Sequence, residues 1–331
     1  MELLLCNTNL AVTTVVCQIA KEPSKQFIVF TDVRNIYSFL SLIGYANVKL
    51  YFIESSFSFN TIFRLFKTKR CIKKIIKEKN ISKVYHYHHV FGQLYNWVIS
   101  YCAQKGCKVI NYKLKEATDF PLAKKNLKSI KTKILQSLLY SGDVNILDKG
   151  DKNYIPILSP TFFQKNKIQL LDYKTDDSII KNTADVIMEK LGLKVDSKNV
   201  ILLNGSVMAT GQVDCKEYKE KIKLLIETIG SENMVAKCHP RFNDETEEEK
   251  RLKHIPSFIP MDFLLMYYDV IIGYNSTTLR HASALGKKAI SLIEFFVPTN
   301  IERKNNWYAT FADSEIYYPK SLDDLVSIIK Q

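Results

Sequence analysis

The stretch Val270-Ile271-Ile272-Gly273-Tyr274-Asn275-Ser276-Thr277-Thr278-Leu279 decides how the chain is read. It opens with a β-branched run, turns at a glycine, and enters a helical pattern over 277–285 behind three adjacent hydroxyls. Strand, tight turn and helix start, in that order, form the first part of a βαβ unit. In such a unit the helix N-terminus turns its unpaired N–H groups toward the carboxyl end of the strand, where an anion is favoured. One hydroxyl suffices to cap a helix. Ser276, Thr277 and Thr278 in a row, with Asn275 ahead of them, suit a phosphate that accepts from side chains and backbone together.

The same alternation extends outward in both directions. Strands are predicted over 200–203, 234–238, 270–274 and 288–293, with helices over 216–228, 261–268 and 277–285. The first half shows strands over 3–6, 27–30, 48–52, 83–86 and 108–112, with helices over 10–20, 35–42, 61–79 and 93–104. Between them, 145–160 is polar with Gly and Pro, and 161–171 has no clear period. This region reads as the crossing between two domains, 1–155 and 156–331. The expected class is α/β, with two Rossmann-like domains in series, which resembles the GT-B architecture with its ligand in the cleft between domains.

Bulk composition agrees. The 331 residues suit two domains, and 46% hydrophobic with 24% charged residues is ordinary for a globular chain. No apolar run approaches the roughly 20 residues that span a bilayer. Glu2 stands where a signal peptide would carry positive charge, so a cytoplasmic protein is expected. Seven cysteines without a CxxC pair read as buried, reduced thiols, neither a disulfide framework nor a zinc site. The net charge of +13 points to an anionic partner: nucleic acid, a membrane surface or a phosphorylated substrate.

Ligands of open α/β sheets bind at the carboxyl ends of strands, so polar residues just beyond each strand are the candidates. Lys237-Cys238-His239-Pro240-Arg241 is one such place, offering His239 to a phosphate or as a proton donor, with Lys237 and Arg241 adding charge. Gly205 admits close approach of a ligand, and Asp214 either takes a proton from an acceptor hydroxyl or caps the helix behind it. Asn7, Thr8 and Asn9, after the first strand, either touch a sugar or cap the next helix, with capping slightly favoured. Glu116 and Asp119 form a reserve pair of carboxylates. His86 and His88, in Tyr85-His86-Tyr87-His88-His89, fall on one face of a strand and suit packing better than a metal. No DxD sequence offers a divalent metal to a sugar diphosphate, so no metal is expected.

Residues 61–80 interleave Arg64, Lys67, Lys69, Arg70, Lys73, Lys74, Lys77 and Lys79 with Phe63, Phe66, Ile72, Ile75 and Ile76. Two readings weigh alike: a helix on an anionic lipid surface, or a solvated face. A second basic run holds Lys124, Lys125, Lys128, Lys131 and Lys133. Nucleic acid is disfavoured because no binding module accompanies the charge. The oligomeric state is open, a homodimer included.

The His239-Pro240 step, the later Ser276-Thr277 pair, the opening strand with Cys6-Asn7-Thr8-Asn9-Leu10, and Ile259-Pro260-Met261-Asp262 together resemble the bacterial sialyltransferases of glycosyltransferase family 52. The motifs are short, and the resemblance covers most of the chain. It implies a GT-B fold, CMP-sialic acid as donor, inversion at the anomeric carbon, no metal, and a lipooligosaccharide or capsule glycan as acceptor. By that resemblance Ser276, Thr277 and His239 hold the departing phosphate, Asp262 the ribose, and Asp214 matches the catalytic aspartate. Related families carry an acid-acid-Gly motif, for which Lys115-Glu116-Ala117 is the nearest match here, so the base stays open between Asp214 and Glu116. Alternatives are a transferase using another nucleotide sugar such as CMP-Kdo, or a non-catalytic nucleotide- or glycan-binding protein of surface-polysaccharide assembly.

Overall fold

Strand β1 (Glu2–Leu5) is buried along its whole length, as a parallel strand covered on both faces must be. The computed structural model describes all residues except 55–61, 88–92, 114–123, 125–129, 132, 135–143, 149–153, 173, 193–199, 206 and 240–243. After β1 come α1 (Val12–Lys21), β2 (Phe27–Thr31), α2 (Arg34–Ile43), β3 (Val48–Phe52), α3 (Ile62–Glu78), β4 (Lys83–His86), α4 (Gln93–Gln104) and β5 (Lys108–Lys113). An antiparallel pair, β6 (Val144–Asp148) with β7 (Tyr154–Leu158), precedes α5 (Pro160–Lys165) and β8 (Gln169–Asp172). The main sheet runs β3-β2-β1-β4-β5-β8, all parallel. α1 turns Val12, Val15, Val16 and Ile19 inward, the spacing of one helical face. α2 ends at Gly44 with φ 72, a left-handed cap that a Cβ would strain.

The second unit spans Lys181–Gln331, the first Met1–Ile180. α6 (Asp177–Leu191) crosses that boundary. Then follow β9 (Val200–Leu203), α7 (Cys215–Ile229), β10 (Met234–Lys237), α8 (Glu247–Arg251), β11 (Lys253–Ile255), β12 (Val270–Gly273), α9 (Thr277–Ala284), β13 (Lys288–Ser291), α10 (Ile301–Phe311), β14 (Ile316–Tyr317) and α11 (Leu322–Lys330). The sheet order is β11-β10-β9-β12-β13-β14, again all parallel. Each sheet therefore has the order 3-2-1-4-5-6 of a Rossmann unit, with its reversal beside the first strand.

Four expectations change. The region 145–171 is not a bare crossing: β6, β7 and α5 lie there, and β8 pairs with β5 through Ile110↔Gln169. The units part at Ile180/Lys181, later than the expected 155/156, because sheet pairing holds this segment to the first unit. The helix expected over 261–268 is two 3-10 turns, Met261–Phe263 and Leu265–Tyr267. Their backbone closes through i→i−3 bonds, Leu264 N donating to Met261 O at 2.8 Å and Tyr268 N to Leu265 O at 3.3 Å. Four of the seven cysteines also escape full burial: Cys71 and Cys215 are exposed, Cys107 and Cys238 half-buried.

Candidate functional site

In the second sheet the strand order reverses between β9 and β12, and ligands of such sheets settle outside the carboxyl ends at that point. β9 and β12 approach closely: a Cβ on Gly273 would lie 3.3 Å from Leu203 Cβ. Beyond the strands, a Cβ on Gly205 would meet Tyr274 Cβ at 3.7 Å and Asn275 Oδ1 at 3.8 Å. The loop after β12 is held down by Ser291, whose buried hydroxyl donates to the Tyr274 carbonyl at 2.6 Å.

Facing that loop is the turn after β9. Gln212 N donates to Val207 O at 3.0 Å, and Gly211 takes a positive φ of 61 to close the turn. The buried Gln212 carboxamide then bridges: Nε2 donates to Thr210 Oγ1 at 2.6 Å, and Oε1 accepts from Asn275 Nδ2 at 2.7 Å. From the other side Thr299 N donates to Gln212 O at 3.1 Å and Thr299 Oγ1 to Gly211 O at 2.5 Å. A cavity of about 360 Å³ opens among these groups, lined by Thr210, Gln212, Tyr274, Asn275, Thr299 and Lys304. Its volume lies in the ordinary range for small-molecule sites. Lys304 Nζ is 2.9 Å from Glu294 Oε1, so the cation at the rim is held in place.

α9 begins beside the cavity. Ser276 is its N-cap, with Oγ accepting from Thr278 N at 3.3 Å. Thr277 is exposed and Thr278 half-buried at the same helix start. One turn on, His281 Nδ1 lies 2.5 Å from Asp262 Oδ1, tying α9 to the Met261–Phe263 turn. Gly205, Asn275, Ser276, Thr277 and Thr278 thus come together, with Asp262 attached through His281.

Other predicted residues lie differently. Lys237 is 7% exposed, and its ammonium donates to Ser257 O at 3.0 Å and Cys238 O at 3.4 Å. Burial lowers it to about 8, and it binds carbonyls inside the unit. His239 is half-buried just beyond β10. Asp214 is the N-cap of α7, its Oδ1 accepting from Lys216 N at 2.9 Å and Glu217 N at 3.0 Å. Asn7, Thr8 and Asn9 follow β1, at the reversal point of the first sheet, between β1 and β4. The favoured capping reading fails there: neither Thr8 nor Ala11 makes a side-chain cap. His86 is buried, with Nδ1 3.2 Å from Asn111 Oδ1, in line with packing. Glu116, Asp119, Pro240, Arg241, His88 and His89 lie outside the described residues.

Sequence reading passed over Gln212, Thr299, Lys304 and His281 as site residues. Only Gln212 had a signal, a polar residue behind a glycine after a strand. His281 lies a turn inside α9, and Thr299 and Lys304 lie well beyond the end of β13, so none of them stands directly after a strand.

The fold thus defines an α/β protein of GT-B type, two Rossmann-like units in one chain. No protein-family model matches the chain, and no curated protein matches it. Among solved structures, it is similar to the UDP-GlcNAc 2-epimerase from Methanocaldococcus jannaschii, at 11% identity and a TM-score of 0.50, covering 100% of this chain and 92% of that one. The UDP-GlcNAc 2-epimerase from Neisseria meningitidis has 12% identity and a TM-score of 0.49, covering 100% and 91%. The E. coli heptosyltransferase WaaC has 10% identity and 0.43, covering 100% and 99%. At such identities the likeness is one of fold alone.

Proposed function

We propose that the chain is a glycosyltransferase that holds a nucleotide sugar at the β9/β12 edge of its second unit. Its donor is CMP-sialic acid, and its acceptor is a galactose-like terminal sugar of a lipooligosaccharide or capsular glycan. The observation that carries this reading is the cavity closed by Gln212 and Asn275 beside the capped start of α9. A phosphate oxygen arriving there takes the Thr278 N–H and frees the Ser276 hydroxyl to donate. Helix terminus and hydroxyls then stabilise the charge that grows on CMP as it leaves. In this reading His239 protonates or binds the departing phosphate, and Asp262 holds the ribose. Asp214 or Glu116 deprotonates the acceptor hydroxyl, which attacks from the opposite face. A glycolipid acceptor is in keeping with α3, where Phe63 and Phe66 are 84% and 56% exposed on a basic helix. No helix of the described residues is long and apolar enough to cross a membrane. The acceptor would be met at a membrane surface.

A UDP-linked sugar is the second reading, since the fold neighbour with a TM-score of 0.50 is a UDP-GlcNAc 2-epimerase. Thermal unfolding with millimolar CMP, CDP, UDP or GDP separates the two, run on the wild type and Ser276→Ala. Stabilisation by CMP that is lost in the variant supports the cytidine monophosphate pocket. Stabilisation by UDP alone replaces the donor, and no shift with any nucleotide removes the reading.

A further inference from the structure

One strand beyond the cavity, the edge of the second sheet gathers a different set of side chains. Cys238 follows β10, His254 stands on β11 opposite Ala236, and Glu245 precedes α8. One ligand atom from each lies within 4.8 Å of the other two. His254 Nε2 is 2.5 Å from Glu245 Oε1, and the two side chains are 30% and 10% exposed. Around a tetrahedral zinc, with bonds of about 2.0–2.3 Å, ligand atoms stand roughly 3.3–3.8 Å apart. Opening the His254–Glu245 contact by about 1 Å, a rotamer-scale movement, therefore makes room for the ion.

Carboxylates gather around Cys238 in a chain of net charge +13, with the Lys237 ammonium as the counter-charge beside it. Asp244 Oδ2 accepts from Ala209 N at 2.9 Å, while its buried Oδ1 has no hydrogen-bond partner among the described residues. Glu249 is 1% exposed and lies close enough to act on Cys238. Burial first, then the hydrogen bond and charge of Glu245, push the Cys238 thiol up to about 12. Burial, with a smaller push from Glu245, also raises the Glu249 carboxyl.

We propose that Cys238 Sγ, a Glu245 carboxylate oxygen and His254 Nε2 form a zinc site. The fourth position is left to water or another oxygen ligand. Thiolate, imidazole and carboxylate together select zinc over calcium or magnesium. On binding, the Cys238 S–H proton leaves to solvent, the S–Zn bond forms, and the imidazole coordinates as the neutral ring. The ion joins the end of β10 to β11 and to the residues leading into α8. The ligand set adjoins His239 of the nucleotide reading but does not depend on that reading.

The test uses the full chain, reduced, stripped with a chelator, and titrated with zinc against a chromophoric competitor and with cobalt(II). One zinc per chain is expected, with a thiolate-to-cobalt charge-transfer band in the cobalt form. Cys238→Ser and His254→Gln should each weaken zinc by more than the roughly 10–100-fold typical of losing an outer-shell partner. Cys215→Ser, at an exposed cysteine, should bind as the wild type does. Circular dichroism of each metal-free variant checks that folding is kept, and the wild-type cobalt spectrum stands even if one variant fails to fold. Zinc uptake no greater than that of a chain carrying Cys238→Ser and His254→Gln together, or a cobalt complex without the thiolate band, would overturn the proposal.

Discussion

Asn275 Nδ2 donates to Gln212 Oε1 at 2.7 Å, joining the loop after β12 to the turn after β9 where the strand order reverses. The acceptor is buried and also ties down Thr210 through its own amide. Both loops therefore reach the cavity as one rigid piece.

Gln212→Glu separates rigidity from ligand binding. The carboxylate still accepts from Asn275 but loses the donor to Thr210 and brings negative charge beside the proposed phosphate. Unfolding in denaturant should shift by only ~1 kcal/mol. The nucleotide-induced thermal shift should fall sharply, and an unchanged shift would move the phosphate elsewhere.

Asp214 has a structural duty whatever its chemistry, since its Oδ1 caps α7. Asparagine preserves such a cap and alanine does not. Asp214→Asn should therefore melt within a few degrees of the wild type, with Asp214→Ala lower. If Asp214 is the base, both variants lose transfer to acceptor. Sustained turnover by Asp214→Asn would place the base elsewhere.

Lys237 predicts an alkaline signature. Its pKa is lowered from 10.5 to about 8 by burial, so between these values the unfolded chain holds a proton that the folded chain has shed. Stability from this group therefore rises as pH climbs from about 8 toward 10.5, by up to ~3 kcal/mol. The difference between wild type and Lys237→Met, measured by denaturant unfolding across that window, should show the rise in the wild type only.

Glu249 is the hub beneath the same edge. It accepts from Thr246 N at 2.7 Å, Asn204 Nδ2 at 3.2 Å and Tyr218 OH at 3.2 Å, and completes a capping box on α8. Glu249→Ala leaves these buried donors without their acceptor and should cost ~2–4 kcal/mol in equilibrium unfolding. Glu249→Gln should cost less, because its carbonyl oxygen still accepts.

On α3, Leu65, Ile72 and Ile76 are buried while Phe63 and Phe66 project outward. Lys69 and Lys73 lie over the Trp97 ring at 5.0 and 5.8 Å, so not all of the helix's charge faces solvent. Replacing Phe63 and Phe66 with serine should abolish sedimentation with vesicles rich in anionic lipid, with little effect on melting. Equal binding by the variant would favour the solvated-face reading.

Much of this was written locally. Strands β3, β4 and β9 and helix α4 fall where the sequence places them, because their apolar periods and flanking turns are set within a few residues. Ser276 was legible as a helix start for the same reason, and the phosphate reading grew from it. The β6/β7 pair was not, since a short strand containing Pro156 has little local pattern and gains its structure from pairing. β14, only two residues long, exists because Ala289 and Ile290 offer it an edge.

The sequence alone determined the α/β class, the two-unit plan and the capped strand-to-helix turn after β12, all consequences of short-range periodicity and hydrogen-bonding capacity. Only the tertiary structure decided that Gln212 would meet Asn275, that Lys237 would turn inward, and that Cys238, Glu245 and His254 would converge. Those meetings depend on strand order and register across a whole sheet. Many buried contacts acting together set that order, and no single stretch of residues contains it.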